Sequence, residues 1–404
     1  MYVHNKRWLP VFLGVLLGVP LPVVESKGPC DSPIYCQGDI LHAVQMAKLY
    51  PDDKTFVDKP TTKPLSQVQA NFAHIGGLNA SRDALSQFVA DNFGTEGSEL
   101  KPVDLGGQLS SAPAFLNNVS DPLLRAFGQT VHGFWGQLVR EQDLSLLCDQ
   151  GCVSSMLPLK YHFVVPGGRF REIYYWDTYF TLEGILRSGL YDLSKSIIRD
   201  LLELVNVNGF VPNGARVYYL DRSQPPLLAL MVKLYYEYTG DSALVVEALP
   251  LLQKELAFWQ ANHHQVAITK SDGTVVQLTR YYVDTDQPRP EAYAKDYELA
   301  HNVSTDPLVQ ADIYADMATG AETGWDYSTR WVRNPNAPAD KLLYTIRTRQ
   351  VVPVELNAIL YQVEQALAEF VDVANCSATT AIDYRALART RRGAMYDVFY
   401  DQRS

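Results

Sequence analysis

Cysteine is scarce, five in 404 residues, and no histidine stands at the spacing to them that a zinc site would use. A metal-built fold is therefore not expected. Basic charge is in deficit: 35 Lys and Arg stand against 45 Asp and Glu, for a formal net charge of -10. A nucleic-acid binder carries a basic stripe, and this chain shows none, so no nucleic acid is expected as a partner. After residue 24 there is no apolar run near the roughly 20 residues that span a bilayer. No phosphate loop or dinucleotide turn occurs, so no cofactor is expected. Strand signals are few: 161–165, and 274–278 after the Asp272-Gly273 turn. What remains, 47% hydrophobic with 20% charged residues, is globular composition, neither disordered nor fibrous.

The N-terminus is patterned. Lys6 and Arg7 precede an apolar stretch over 8–24, broken by Gly14, Gly18, Pro20 and Pro22 and followed by Ser26, Lys27 and Gly28. This order predicts a secretory signal peptide over 1–27 and a mature domain over 28–404. The unbroken part is short for a membrane anchor. A secreted, extracellular, glycosylated protein is expected, with Asn79, Asn118, Asn302 and Asn375 as glycan acceptors. The cysteines fall as Cys30/Cys36, Cys148/Cys152 and a lone Cys376. Two close pairs in a secreted chain suggest two short-loop disulfides; Cys376 is either free or paired outside this chain.

Helical periodicity dominates. Helices are expected over 39–50, 81–93 with Ser81 as cap, and 121–140, where Asp121 caps and Leu123, Leu124, Phe127, Val131, Phe134, Trp135 and Leu138 recur at helical spacing. An extended stretch is expected over 51–64. Paired helices follow at 177–188 and 193–205, then 225–238 and 243–263, with single ones at 308–317, 354–373 and 383–400. The long connections between them hold most of the clustered Arg, Asp, Asn, Gln and Trp. Long connections in a compact domain are commonly functional.

The densest cluster is Pro166-Gly167-Gly168-Arg169-Phe170-Arg171-Glu172-Ile173-Tyr174-Tyr175-Trp176-Asp177. Two glycines allow a sharp turn and close approach to a ligand. Arg169 brings five fixed donors, Trp176 a flat apolar face, and Asp177 an acceptor for paired hydroxyls. A pyranose has one apolar face and a rim of hydroxyls, so this mixture suits a sugar. Taken singly, such an Arg is more often a surface ion pair and such a Trp more often core.

This segment resembles the first signature of the trehalase family, glycoside hydrolase family 37. Further stretches resemble the family's in the same order: Val211-Pro212-Asn213-Gly214, Asp221-Arg222-Ser223-Gln224-Pro225-Pro226, Pro288-Arg289-Pro290-Glu291, and Ala321-Glu322-Thr323-Gly324-Trp325-Asp326-Tyr327. The resemblance implies an all-α (α/α)6 toroid and hydrolysis of α,α-trehalose to two glucoses with inversion. It implies that Asp326 is the general acid, and that Arg169, Trp176, Asp177, Asn213, Arg222, Ser223, Gln224, Arg289, Pro290, Glu291 and Gly324 bind the substrate. An inverting glycosidase uses two carboxyls roughly 6.5–9.5 Å apart, one protonating the leaving oxygen and one activating water.

The family's second signature and the Glu-containing stretch after it have no match before Ser404. The toroid is therefore expected to be incomplete at its C-terminal end, with the general base unassigned and any membrane tether confined to a longer form. Two alternatives to a trehalase remain at this point: a non-catalytic trehalose-binding or regulatory short form, and a glycosidase of another α/α-toroid family acting on maltose-like sugars.

Overall fold

The computed structural model describes residues 27–109, 112–148, 150–261, 263–375 and 382–400. The expected signal peptide, except Lys27, and Cys376 lie outside them. Four helices come first: α1 (Asp39–Met46), α2 (Lys54–Val57), α3 (Leu65–His74) and α4 (Arg82–Asn92). Helices α5 (Pro122–Gly133) and α6 (Trp135–Leu138) follow. Then come four sequential pairs: α7 (Tyr175–Arg187) with α8 (Tyr191–Asn208), α9 (Leu228–Thr239) with α10 (Ser242–Trp259), α11 (Tyr293–Val303) with α12 (Pro307–Glu322), and α13 (Val354–Val373) with α14 (Tyr384–Phe399). Strands are short: β1 (Leu100–Pro102), β2 (Val139–Gln142) and β3 (Phe163–Val164) form an antiparallel sheet, and β4 (Gln265–Thr269) and β5 (Val275–Thr279) a hairpin. The chain is all-α in class.

The termini of the paired helices follow from their residues. Gly209 (φ 88°) ends α8 and Gly240 (φ 68°) ends α9, left-handed positions that glycine adopts without a Cβ penalty. The Asp241, Asp306 and Asp383 side chains accept first-turn N–H groups of α10, α12 and α14. The pairs are packed in a regular way. Within each pair the two helices touch; in addition α7 lies against α9 and α9 against α13, while α8 lies against α10. Second helices also meet first helices of other pairs, α8 against α9 and α10 against α13. Between them sits one large apolar core with Trp259, Ile197, Leu201, Leu228, Val232, Leu252, Leu360 and Phe370 buried. A second core joins α1–α4 to Tyr174, Tyr218, Tyr219 and Tyr293, so the N-terminal helices pack on residues that reach the cavity described below.

Several expectations change. The helix expected over 121–140 starts as read, with Asp121 accepting from Leu123 N and Leu124 N. It breaks at Phe134, close to the poor helix formers Gly133 and Gly136, and Val139 enters a strand instead. Its apolar stripe is not buried: Leu123, Leu124 and Phe127 are 80%, 62% and 67% exposed. The first helix stops at Met46, and the stretch expected to be extended contains α2. Helices α3 and α11 were not expected; α11 (YAKDYELAHNV) is too polar to show an apolar stripe. The two expected disulfides are present, Cys30–Cys36 and Cys148–Cys152, with S–S distances of 2.05 and 2.00 Å.

Candidate active site

The connections carrying the motifs converge on one cavity of about 420 Å³. Pro166, Arg169 and Phe170 reach it from the loop before α7. That loop is closed by reciprocal bonds, Gly167 N to Phe170 O (3.2 Å) and Phe170 N to Gly167 O (3.1 Å), with Gly167 and Gly168 at φ 103° and 61°. The hairpin turns Arg169 out, and its guanidinium sits over the Phe170 ring at 5.2 Å. Trp176 and Asp177 come from the first turn of α7. Gln224 caps that turn, its Oε1 accepting from Trp176 N at 3.1 Å. Asn213 is fixed by donating to Ser223 O and Ala321 O.

Asp326 stands just past the C-terminus of α12, in a left-handed conformation (φ 46°) that a residue with a Cβ adopts at a cost of about 1 kcal/mol. Such strain persists where the surroundings over-determine it, and it concentrates at functional sites. Gly324 (φ 69°) precedes it and faces Trp176: a Cβ there would lie 2.7 Å from Trp176 Cε2. The pKa of Asp326 is raised, first by burial and then by Asp177 and Glu291, against an opposing pull from Arg289. Burial raises Asp177 as well. Clustered, partly desolvated carboxyls hold their protons above the ordinary carboxylate range, which is what a carboxylic acid needs to donate one near neutrality.

Behind the cavity the arginines orient carboxylates. Arg222, fully buried, donates to Asp221 Oδ1 (2.7 Å) and Glu291 Oε1 (2.5 Å). Arg289 makes a fork to Asp296, with Nε and Nη2 each 2.7 Å from a carboxylate oxygen. Glu291 Oε2 is buried and accepts no hydrogen bond among the described residues, which leaves it available to a bound hydroxyl. Tyr174 donates to Glu172, and its hydroxyl lies 2.9 Å from that of Tyr219. Glu172 in turn belongs to a fully buried ion cluster with Lys54, Asp58, Glu99 and Arg216. Both tyrosine rings are thereby held from beneath.

Of the residues expected from sequence, Arg169, Trp176, Asp177, Asn213, Gln224, Arg289, Glu291, Gly324 and Asp326 line the cavity together. Arg222, Ser223 and Pro290 stand behind its wall. Ser223 donates its Oγ to Val211 O and its N–H to Glu322, and Pro290 O accepts from Gln45 Nε2. The cavity also takes Asp52, Phe170, Tyr174, Tyr219, Lys295 and Tyr327, which sequence reasoning did not single out as ligands. Phe170, Tyr174 and Tyr327 lie inside the motif segments, so position inside a motif was their signal. Asp52 and Lys295 carry none. Among the described residues, no group of three or more His, Cys, Asp or Glu side chains is arranged to hold a metal ion. None of the described helices is long and apolar enough to cross a membrane.

Aromatic rings, arginines and carboxyls raised by burial thus wall one cavity between the motif-bearing connections. The trehalase family model matches residues 48–404, and the chain belongs to that family. It is 41% identical to the trehalase of Oryctolagus cuniculus over 393 residues, covering 96% of this chain and 66% of that protein. It is 40% identical to that of Homo sapiens over 411 residues (99% and 68%), and 38% identical to that of Dictyostelium discoideum over 389 residues (93% and 63%). The chain thus spans about two thirds of the length of the curated relatives it matches. Against the neutral trehalase Nth1 from Saccharomyces cerevisiae the TM-score is 0.45 at 22% identity, over 60% of this chain and 46% of that one, a likeness too partial to build on.

Proposed function

We propose that the protein hydrolyses α,α-trehalose to two glucose molecules with inversion, and that Asp326 is its general acid. The observation that carries this is the placement of Asp326: a strained left-handed residue on the wall of a sugar-sized cavity, its carboxyl raised by burial and by two neighbouring carboxyls. The Asp326 proton passes to the bridging oxygen as the glycosidic C–O bond breaks. Water adds to the anomeric carbon from the opposite face, and its proton leaves to a second carboxylate. Arg169, Arg289, Asn213 and Glu291 line the same space and supply hydroxyl partners, and Trp176 supplies the apolar face. The names of the relatives support trehalose as the substrate.

Secretion belongs to the same proposal. Two short-loop disulfides suit an oxidising compartment, and Asn79, Asn118, Asn302 and Asn375 are exposed where glycans would be attached.

The test is glucose release from trehalose by the wild-type protein and by Asp326→Asn, with the anomers of fresh product read by NMR. The wild type is expected to yield one α- and one β-glucose per turnover, and the variant to lose turnover by at least about a thousandfold while keeping its unfolding transition. Wild-type turnover in the variant, or retention at the anomeric carbon, refutes the assignment.

A further inference from the structure

Asp52 stands apart from every motif. It belongs to the short segment before α2, whose chemistry the sequence left silent, yet it reaches the cavity wall. Its two carboxylate oxygens take Arg169 as a fork, Nε to Oδ2 at 2.5 Å and Nη2 to Oδ1 at 2.6 Å. As a source of stability this pair is weak. The side chains are 46% and 30% exposed, and ion pairs at such sites contribute about 0–1 kcal/mol. As a means of aiming a guanidinium it is specific, because a fork fixes the plane as well as the position of the group. With Nε–H and one Nη2–H engaged, three N–H donors remain, for which the structure shows no partner among the described residues.

Asp52 is itself held. Its Oδ1 accepts from Lys54 N at 3.1 Å, an Asx-type turn. The next residue ties the segment to the opposite wall. Asp53 Oδ2 accepts from Ala294 N (2.9 Å). The buried amide of Gln45 donates both to Asp53 O and to Pro290 O, each at 2.9 Å. Ala294 and Pro290 flank the chain that carries Glu291, beside Arg289. The segment 51–53 is therefore the spacer between the Arg169 loop and the Arg289–Glu291 stretch.

We propose that Asp52 is a positioning residue of this site, holding the Arg169 guanidinium toward the bound sugar and setting the spacing between the two arginine-bearing walls. The proposal rests on the reading that the cavity takes trehalose. Because Arg169 meets hydroxyls in the bound substrate as well as in the transition state, its misplacement acts chiefly on KM.

The test uses Asp52→Asn, which keeps an oxygen for Lys54 N but loses the charge and the fork. KM for trehalose is expected to rise about tenfold with kcat changed by less than about threefold, and Asp52→Asn combined with Arg169→Lys to be no worse than Arg169→Lys alone. A matched variant is Glu247→Gln, which breaks a similarly half-exposed fork to Arg199 between α8 and α10, away from the cavity; it is expected to leave KM unchanged. A second readout does not depend on turnover. The rate of phenylglyoxal modification at Arg169, followed by peptide mass spectrometry, should rise about threefold or more in Asp52→Asn, because the carboxylate that stabilises the charged guanidinium is gone. Trehalose should slow it in the wild type. An unchanged modification rate at Arg169 in Asp52→Asn overturns the positioning role, as does an unchanged KM in an active enzyme. A raised rate with no trehalose turnover in the wild type leaves the positioning role standing and sinks the trehalase reading instead.

Discussion

The sharpest structural demand at the site falls on Gly324. Ordinary contact with a Cβ begins at 3.4 Å, and a Cβ at Gly324 would lie 2.7, 2.9 and 3.1 Å from Trp176 Cε2, Cζ2 and Nε1. In Gly324→Ala the indole must therefore retreat by about 0.7 Å. Trp176 is flanked by two rings, Phe180 at 5.9 Å and Trp325 at 6.2 Å between centroids, and its backbone N–H is held by Gln224 Oε1. The movement passes into the first turn of α7, which carries Asp177. A displacement near 1 Å in such a site lowers kcat/KM by about 10–100-fold. The substitution also forces alanine into φ 69°, at about 1 kcal/mol. Gly240→Ala separates the two effects, because Gly240 has nearly the same φ (68°) at the end of α9 and no atom within 4 Å of the added Cβ. Gly240→Ala should lose about 1 kcal/mol in urea unfolding and Gly324→Ala at least as much, and only Gly324→Ala should lose activity on trehalose. Full activity in Gly324→Ala, or equal losses of activity in the two variants, would refute the reasoning.

Two further consequences follow from buried carboxyls. Glu255 is pushed up to about 7 by burial, with the Tyr175 hydroxyl 2.5 Å away as its hydrogen-bond partner. Between the unfolded value near 4.5 and 7, the folded state holds a proton that the unfolded chain has released, so this group's contribution falls as pH rises through that window, by on the order of 3 kcal/mol. Glu255→Gln should therefore be more stable than wild type at pH 8 and lose the advantage by pH 5, measured by urea unfolding; a constant difference between the two pH values refutes it. As the proposed general acid, Asp326 should lose its activity as pH rises through its raised pKa. Asp177→Asn removes one of the negative charges that raise it, so the descending limb of the kcat/KM profile should move to lower pH whatever its height. A limb that stays or moves upward would show that Asp177 does not act on Asp326.

What could be read in advance depended on whether the deciding neighbours were close in sequence. Trp176 and Asp177 were legible because they sit in a run of residues whose types together suit a sugar, whereas Asp326 and Gly324 were legible only because their segment resembles the family's. The paired helices other than α11 were legible from their apolar spacing, and α11 is too polar to show a stripe. Helix α5 shows the limit of that signal: its stripe states that the helix is amphipathic, but Leu123 and Phe127 face solvent, since periodicity names a face and not what covers it. Arg222 shows a second limit. An arginine that touches a sugar and one that holds Glu291 in place behind the wall have the same identity and stand in the same motif; only its complete burial and its 2.5 Å bond to Glu291 separate the roles. Asp52 shows a third. Its partner lies 117 residues away, and nothing local to Pro51, Asp52 and Asp53 distinguishes a positioning carboxylate from a turn. The site is therefore built at two ranges. The chemistry is written locally in the motifs, and its geometry is imposed by contacts such as Gln45 to Pro290 and Asp52 to Arg169, which exist only once the N-terminal helices have packed against the toroid.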